Sequence, residues 1–364
     1  MTKRIGILTT GGDCSGLNSV IRAAYLRAKE CECSLFGIKR GFRGLSIETQ
    51  DCIELTDAMC DEDLLIKSGS ILLSDTKWMS SEVKNGRTVE SVRKSIVDGY
   101  KKLKLDGLIC VGGDGSLKLL NELTTNNEDM KVVFVPKTID NDVNYTDYSV
   151  GFQTSVEVAV KAIENIRSTA KSHERTIVIE VMGRDAGFIA LYAGIASGAD
   201  VILVPEFDYD IEKVKAKIKQ NFADNGKHYC IIVVAESVET DDFKHPERNV
   251  DGIVKYTHIS YSGIGNHLSS VMKQSGLDCR SVKLGHIQRG GETCMSDRLL
   301  GSILGANAVN LILNGTFGKM LVFCKNDVNI IDIHDAVSHV NRSLTKDDKY
   351  VVLAKSLGVY IGEI

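Results

Sequence analysis

The chain lacks the marks of several functional classes. No apolar run approaches the roughly 20 residues needed to span a bilayer, and a strand-like run, Ile5-Gly6-Ile7-Leu8, starts almost at the first residue. Neither a membrane span nor a signal peptide is therefore expected. The ten cysteines form no CxxC pair; Cys31 and Cys33 lie two apart with no His or Cys cluster to complete a zinc set. Cys110, Cys230 and Cys324 sit in apolar runs, where a buried free thiol is expected, so the compartment reads as reducing and cytoplasmic. A net charge of −4 supplies no basic face for nucleic acid or a membrane surface. There are only three prolines, none in a helix-like stretch, and no low-complexity segment or short repeat. The G-x-x-x-x-G-K-[ST] loop is missing, and no G-x-G-x-x-G follows the first strand, so a P-loop and the dinucleotide fingerprint are both excluded.

What is present is an ordinary globular composition, 43% hydrophobic and 25% charged, over 364 residues, enough for two domains or one large one. Strand-like and helix-like runs alternate, which predicts a parallel α/β design. Strands are expected at Ile5–Leu8, Leu108–Cys110, Val132–Val135, Thr176–Val181, Val201–Val204 and Tyr229–Val234. Helices are expected at Ser19–Lys29, Val89–Leu105, Leu117–Leu123, Thr154–Thr169, Phe188–Ala196, Ile211–Phe222, Ser262–Gln274 and Asp297–Leu313. Polar Asp241–Gly252, with Pro246, reads as a surface loop, and the tail from about Ser343 as an amphipathic helix packed on the body.

Three turns carry the chemistry. Val135-Pro136-Lys137-Thr138-Ile139-Asp140-Asn141-Asp142 places two acids just beyond a buried strand, where open α/β sheets hold their ligands. There they can take a proton or hold a metal; read alone, the same residues make an Asp/Asn-rich turn. Gly112-Gly113-Asp114-Gly115-Ser116 runs from a strand into a helix, the layout of a phosphate cradle. Asp114 suits Mg²⁺, which takes one or two carboxylates plus phosphate oxygens. Glycine turns without a ligand are also common. Thr9-Thr10-Gly11-Gly12-Asp13 repeats the layout after the first strand. Two cradles and an acidic turn suggest a polyphosphate donor and an acceptor meeting between loops.

With Met182-Gly183-Arg184, Val233-Val234-Ala235-Glu236 and Gly285-His286-Ile287-Gln288-Arg289-Gly290-Gly291, these segments resemble the 6-phosphofructokinases, in the family's order and from Lys3 to about Asn314. The resemblance implies two α/β domains with mainly parallel sheets facing across a cleft. The donor domain would span residues 1–143 plus about 293–340, the sugar-phosphate domain 144–292, and a C-terminal extension about 341–364. It implies Mg²⁺-dependent transfer from ATP, or from pyrophosphate, to the 1-hydroxyl of fructose 6-phosphate. Asp140 would accept the hydroxyl proton and Asp142 would tune it. Asp114 would hold the metal, Thr138 would offer a hydroxyl, and Arg184 would neutralise the moving phosphoryl group. Gly11, Gly12, Gly113, Gly115, Ser116, Lys137 and Lys77 would line the donor. Met182, Gly183, Glu236, His286 and Arg289 would take the sugar phosphate, joined by Arg175 and Arg280 from a neighbouring subunit. That sharing implies a homo-oligomer, dimer or tetramer. Taken singly, the same residues read as surface charges, a strand-end cap and core packing.

Two departures bear on the donor. Gly115 leaves room for an α-phosphate and nucleoside, which favours ATP, whereas Lys137 is the residue of many pyrophosphate users. Where the family usually has an arginine after Gly69-Ser70-Ile71-Leu72, this chain has Thr76 with Lys77 beside it, a point charge without a bidentate fork. That replacement keeps a non-catalytic regulatory subunit as an alternative. A NAD or lipid kinase sharing the Gly-Gly-Asp-Gly turn is disfavoured by the Gly285–Gly291 segment. Asp140 needs no large pKa shift, because in a loose transition state the proton leaves late.

Overall fold

The computed structural model describes residues 2–127, 129–224, 227–240, 242–244, 263–339 and 341–363. The first sheet has seven strands in the order β11-β10-β5-β4-β1-β2-β3. These are β1 (Arg4–Thr9), β2 (Ser34–Ile38), β3 (Cys52–Glu54), β4 (Gly107–Gly112), β5 (Val132–Pro136), β10 (Lys319–Cys324) and β11 (Asp327–Asp332). The second has four, β6 (Thr176–Val181), β7 (Val201–Leu203), β8 (Cys230–Ala235) and β9 (Cys279–Lys283), in the order β7-β8-β6-β9. All pairings are parallel except β2–β3 and β10–β11, at the edges of the first sheet. The central strands β4, β5, β6 and β8 are buried along their whole length, as strands covered by helices on both faces must be. Each Val, Ile or Leu taken from water there contributes roughly 1.5–3 kcal/mol. This is the α/β architecture with mainly parallel sheets that the sequence predicts.

The chain leaves the first sheet after β5, builds the second, and returns through the Met295–Leu313 helix to β10. That helix packs on Leu17–Glu30 so tightly that a Cβ on Gly305 would lie 2.3 Å from the Val20 carbonyl oxygen. Its buried Asp297 accepts the backbone N–H groups of Gly151 (2.9 Å) and Thr154 (2.7 Å) and the Thr154 hydroxyl (2.6 Å). It thereby caps the Phe152–Ser172 helix, whose first turn offers unpaired N–H donors.

The expected strands and helices are all present, with boundaries shifted by a few residues. The Val89 helix ends at Leu103, where Lys104 turns left-handed, and the last long helix starts at Met295 rather than Asp297. The Ser262 start lies outside the described residues, and this helix runs Ile264–Gln274. Of the expected Asp241–Gly252 loop only Asp242–Lys244 are described. The tail forms a helix at Lys349–Ser356, burying Val351 and Ala354, and Tyr360 then bridges Val201 on β7. Among the described residues no helix is long and apolar enough to cross a membrane, and all ten cysteines are free thiols.

Candidate active site

Both glycine turns and the acidic turn leave the carboxyl ends of adjacent strands, β1, β4 and β5, so the sheet itself brings them together. Thr10 N–H donates to the Val111 carbonyl (3.0 Å), and Lys137 N–H donates to that of Gly112 (2.8 Å). The Gly69–Lys77 stretch closes over the first turn: the Ser74 hydroxyl donates to the Gly11 carbonyl, and Thr9 Oγ1 lies 2.7 Å from Ser70 Oγ. Asp114 opens the Asp114–Thr125 helix, its carboxylate 2.7 Å from Lys118 Nζ. Gly115 and the buried Ser116 lie in the same first turn.

In the acidic turn, Asp140 and Asp142 are buried and Thr138 is half-buried. Asn141, between the acids, takes a left-handed φ of 54° and is held by its own side chain: Nδ2 donates to the Asp147 carbonyl (3.1 Å) and Oδ1 accepts Ser149 N–H (2.9 Å). Asp140 N–H donates to Thr138 Oγ1 (3.1 Å), which in turn donates to Asp140 Oδ2 (3.2 Å). Burial pushes the Asp140 carboxyl above the usual carboxylate range, against the pull of Arg289, Arg184, the Thr138 hydroxyl and Lys137. Burial also raises Asp142, with the Asp140 and Asp114 charges adding to it. The structure thus perturbs Asp140 where the sequence argument required no large shift.

The second sheet supplies the opposite wall from the carboxyl ends of β6 and β8. Gly183 runs at φ 146°, and a Cβ there would lie 2.4 Å from the Ala186 carbonyl oxygen, so only glycine makes this turn. Arg184 follows with φ 53° and an exposed side chain; its N–H donates to Glu236 Oε1 (3.3 Å). Burial pushes Glu236 up to about 7, opposed by that N–H and assisted by the Asp140 charge. Met182 is half-buried beside it. The Gly285–Arg289 segment is a 3₁₀ turn with Gln288 buried and His286 exposed. Arg289 crosses to the first glycine turn, where Nη1 donates to the Asp13 carbonyl (2.9 Å) and crowds Gly12, whose Cβ would lie 2.5 Å away.

Three expected site residues stand apart. Lys77 is exposed; its backbone N–H donates to Asp75 (2.9 Å) and its carbonyl accepts the Ser80 hydroxyl (2.9 Å) and Ser81 N–H (2.9 Å). Arg175 and Arg280 both pair with Asp278, at 3.3 and 3.1 Å, at the start of β6 and on β9. At about 3.3 Å per residue, the start of β6 is roughly 20 Å from the Met182 end. Lys137 is nearly fully buried, and its ammonium donates to the Gly12 carbonyl; burial pulls its pKa down. Asp297 and Asn141 are supports that sequence reasoning missed. The first acts on a helix about 143 residues away in the chain, and the second needed the turn's φ to be seen.

No group of three or more His, Cys, Asp or Glu capable of caging a metal occurs among the described residues. Asp114, close enough to raise Asp142, instead gives one carboxylate with a second nearby. That donor set fits a cation held mostly by substrate phosphates and water, as Mg²⁺ usually is.

The sequence profile of the family described as Phosphofructokinase matches residues 4–312. A Nostoc protein named ATP-dependent 6-phosphofructokinase 1 is 39% identical over 370 residues, covering 100% of this chain and 99% of its own. A Dictyoglomus thermophilum protein named pyrophosphate–fructose 6-phosphate 1-phosphotransferase is 39% identical over 331 residues, covering 91% of this chain and 92% of its own. Among solved structures, Pichia pastoris phosphofructokinase in the T-state superposes with a TM-score of 0.78 at 26% identity, over 98% of this chain; the chain spans 37% of that one.

Proposed function

The chain belongs to the phosphofructokinase family, and we propose that it transfers the γ-phosphoryl group of ATP to the 1-hydroxyl of fructose 6-phosphate. The observation that carries this reading is the convergence of two glycine turns and a buried acid pair with Arg184, Glu236 and Arg289 from the facing sheet. In the transfer the sugar O1 attacks the γ-phosphorus, an O–P bond forms, and the bond to the ADP oxygen breaks. Asp140 receives the O1 proton and Thr138 orients its carboxylate. Arg184 lies at the mouth of the acidic turn, where a fixed planar cation can meet the charge spread over the phosphoryl oxygens. Arg289 and His286 take the sugar's own phosphate, and Glu236 takes a sugar hydroxyl. Asp114 would hold Mg²⁺, which neutralises charge on the donor phosphates when bound.

Lys137 gives pyrophosphate little support as the donor. Its ammonium is spent on the Gly12 carbonyl in the interior, which weakens its case as a pyrophosphate ligand. Gly115 leaves the first helical turn without a side chain where a nucleoside α-phosphate would pass. The free thiols support a reducing, cytoplasmic setting. Arg175 and Arg280, far from their own Arg184, support a homo-oligomer that shares sites between subunits. ³¹P NMR of the protein with fructose 6-phosphate, ATP and Mg²⁺ should show ADP and a new C1 phosphate resonance. A spectrum with no new sugar phosphate would contradict the assignment.

A further inference from the structure

The acidic turn is held by a segment that lies beyond residue 312, where the family profile ends. Arg342 N–H donates to the carbonyl of Asp142 (2.9 Å), and its Nη1 is shared between the carbonyls of Asp147 (2.9 Å) and Thr146 (3.3 Å). The Asp147 carbonyl also accepts Asn141 Nδ2, so Arg342 grips the atom that orients the residue between the two acids. The same guanidinium lies 4.7 Å from the ring centroid of Phe188, the first residue of the helix that follows the Gly183–Arg184 turn. Two residues on, Leu344 N–H donates to Glu206 Oε1 (3.3 Å), which also accepts Gly187 N–H (3.0 Å). One short strap therefore grips both walls of the site.

We propose that Arg342 is a positioning residue that sets Asp140 and Asp142 in register with Arg184 across the two sheets. It touches neither substrate nor reacting atoms. Its guanidinium bonds two carbonyls and a ring face at once, which a smaller side chain cannot do. Further along, Tyr360 anchors the same tail at the edge of β7, where Ile202 N–H donates to its carbonyl (2.8 Å), and makes no contact with the acidic turn.

This inference rests on the acidic turn being the place of phosphoryl transfer, so its test has an arm that does not depend on turnover. Arg342→Ala should lower kcat about 10- to 100-fold, the scale of a small misplacement of reacting groups, with KM for both substrates within about twofold. Arg342→Lys, which keeps a cationic donor on one nitrogen, should recover part of that loss. Tyr360→Ala should lower Tm while leaving kcat unchanged. By hydrogen–deuterium exchange, amides in residues 140–149 should exchange faster in Arg342→Ala and stay at the wild-type rate in Tyr360→Ala. Unchanged exchange in 140–149, or an equal kcat loss in Tyr360→Ala, would overturn the positioning role. A wild-type protein without turnover on fructose 6-phosphate would count against the proposed reaction, while the exchange arm would still decide the role of Arg342.

Discussion

Asp140 faces opposing demands from burial and from its charged neighbours. Burial favours its neutral form and prevails, while Arg289, Arg184, the Thr138 hydroxyl and Lys137 pull toward the ionised form that a base needs. Asp140→Ala should cut kcat about 10³-fold with substrate binding little changed, as loss of a general base does; an unimpaired variant in steady-state assays would remove Asp140 from the role. Glu236 is likewise raised by burial that its neighbours do not offset. Its pKa of about 7 lies above the ordinary 4.5, so between those values the folded state binds more protons than the unfolded one. Stability must therefore fall as pH rises through that window. Glu236→Gln, with nothing to ionise, should gain on the wild type by on the order of 1–3 kcal/mol from pH 5 to pH 8. Denaturant melts at the two values would read this out, and a pH-independent difference would contradict it. The three turns were legible from the sequence, because strand, glycine turn and acid are local patterns, whereas Arg184 and Arg289 came with the family resemblance. The engagement of Lys137 was not, since its partner, Gly12, lies in a turn 125 residues earlier.

The long helices and the strands β1, β4, β5, β6, β7 and β8 were the legible elements. Their apolar runs are long and their burial complete, so periodicity reports them well. Of the strands not expected from the sequence (β2, β3, β9, β10 and β11), two at the edges of the first sheet show the converse. β11, Asp-Val-Asn-Ile-Ile-Asp, is largely exposed, and β3 is only three residues long. Neither carries the signal that burial imposes. The glycines of the Met295–Leu313 helix were likewise unread. Spaced four apart, Gly301 and Gly305 let the helix approach Ser19 and Val20 on its neighbour, and nothing local announces which helix will press there. Gly305→Ala puts a methyl into backbone rather than into a side chain that can move aside. It should destabilise by about 1–3 kcal/mol, seen as a lower denaturant midpoint at unchanged m-value; a midpoint equal to wild type would show that the helix pair can separate at no cost.

At the scale of the whole molecule, one chain completes both walls of the site but leaves Arg175 and Arg280 facing away from it, near Asp278. If a second copy receives them, Arg280→Ala should raise KM for the sugar phosphate several-fold with kcat nearly intact, and specific activity should fall on dilution as the oligomer dissociates. Light scattering alongside the assay checks both; a fully active monomer would contradict the shared site. The return of the chain to the first sheet after the second was not readable from spacing, because it is fixed by which helix covers which sheet. Family resemblance supplied it instead. This seam moves phosphate from a nucleotide to a sugar hydroxyl. Its most direct test is the initial rate with fructose 6-phosphate and Mg²⁺, ATP and pyrophosphate being compared at equal concentration. The account predicts turnover with ATP and little or none with pyrophosphate; turnover with pyrophosphate alone, or with neither donor, would contradict it.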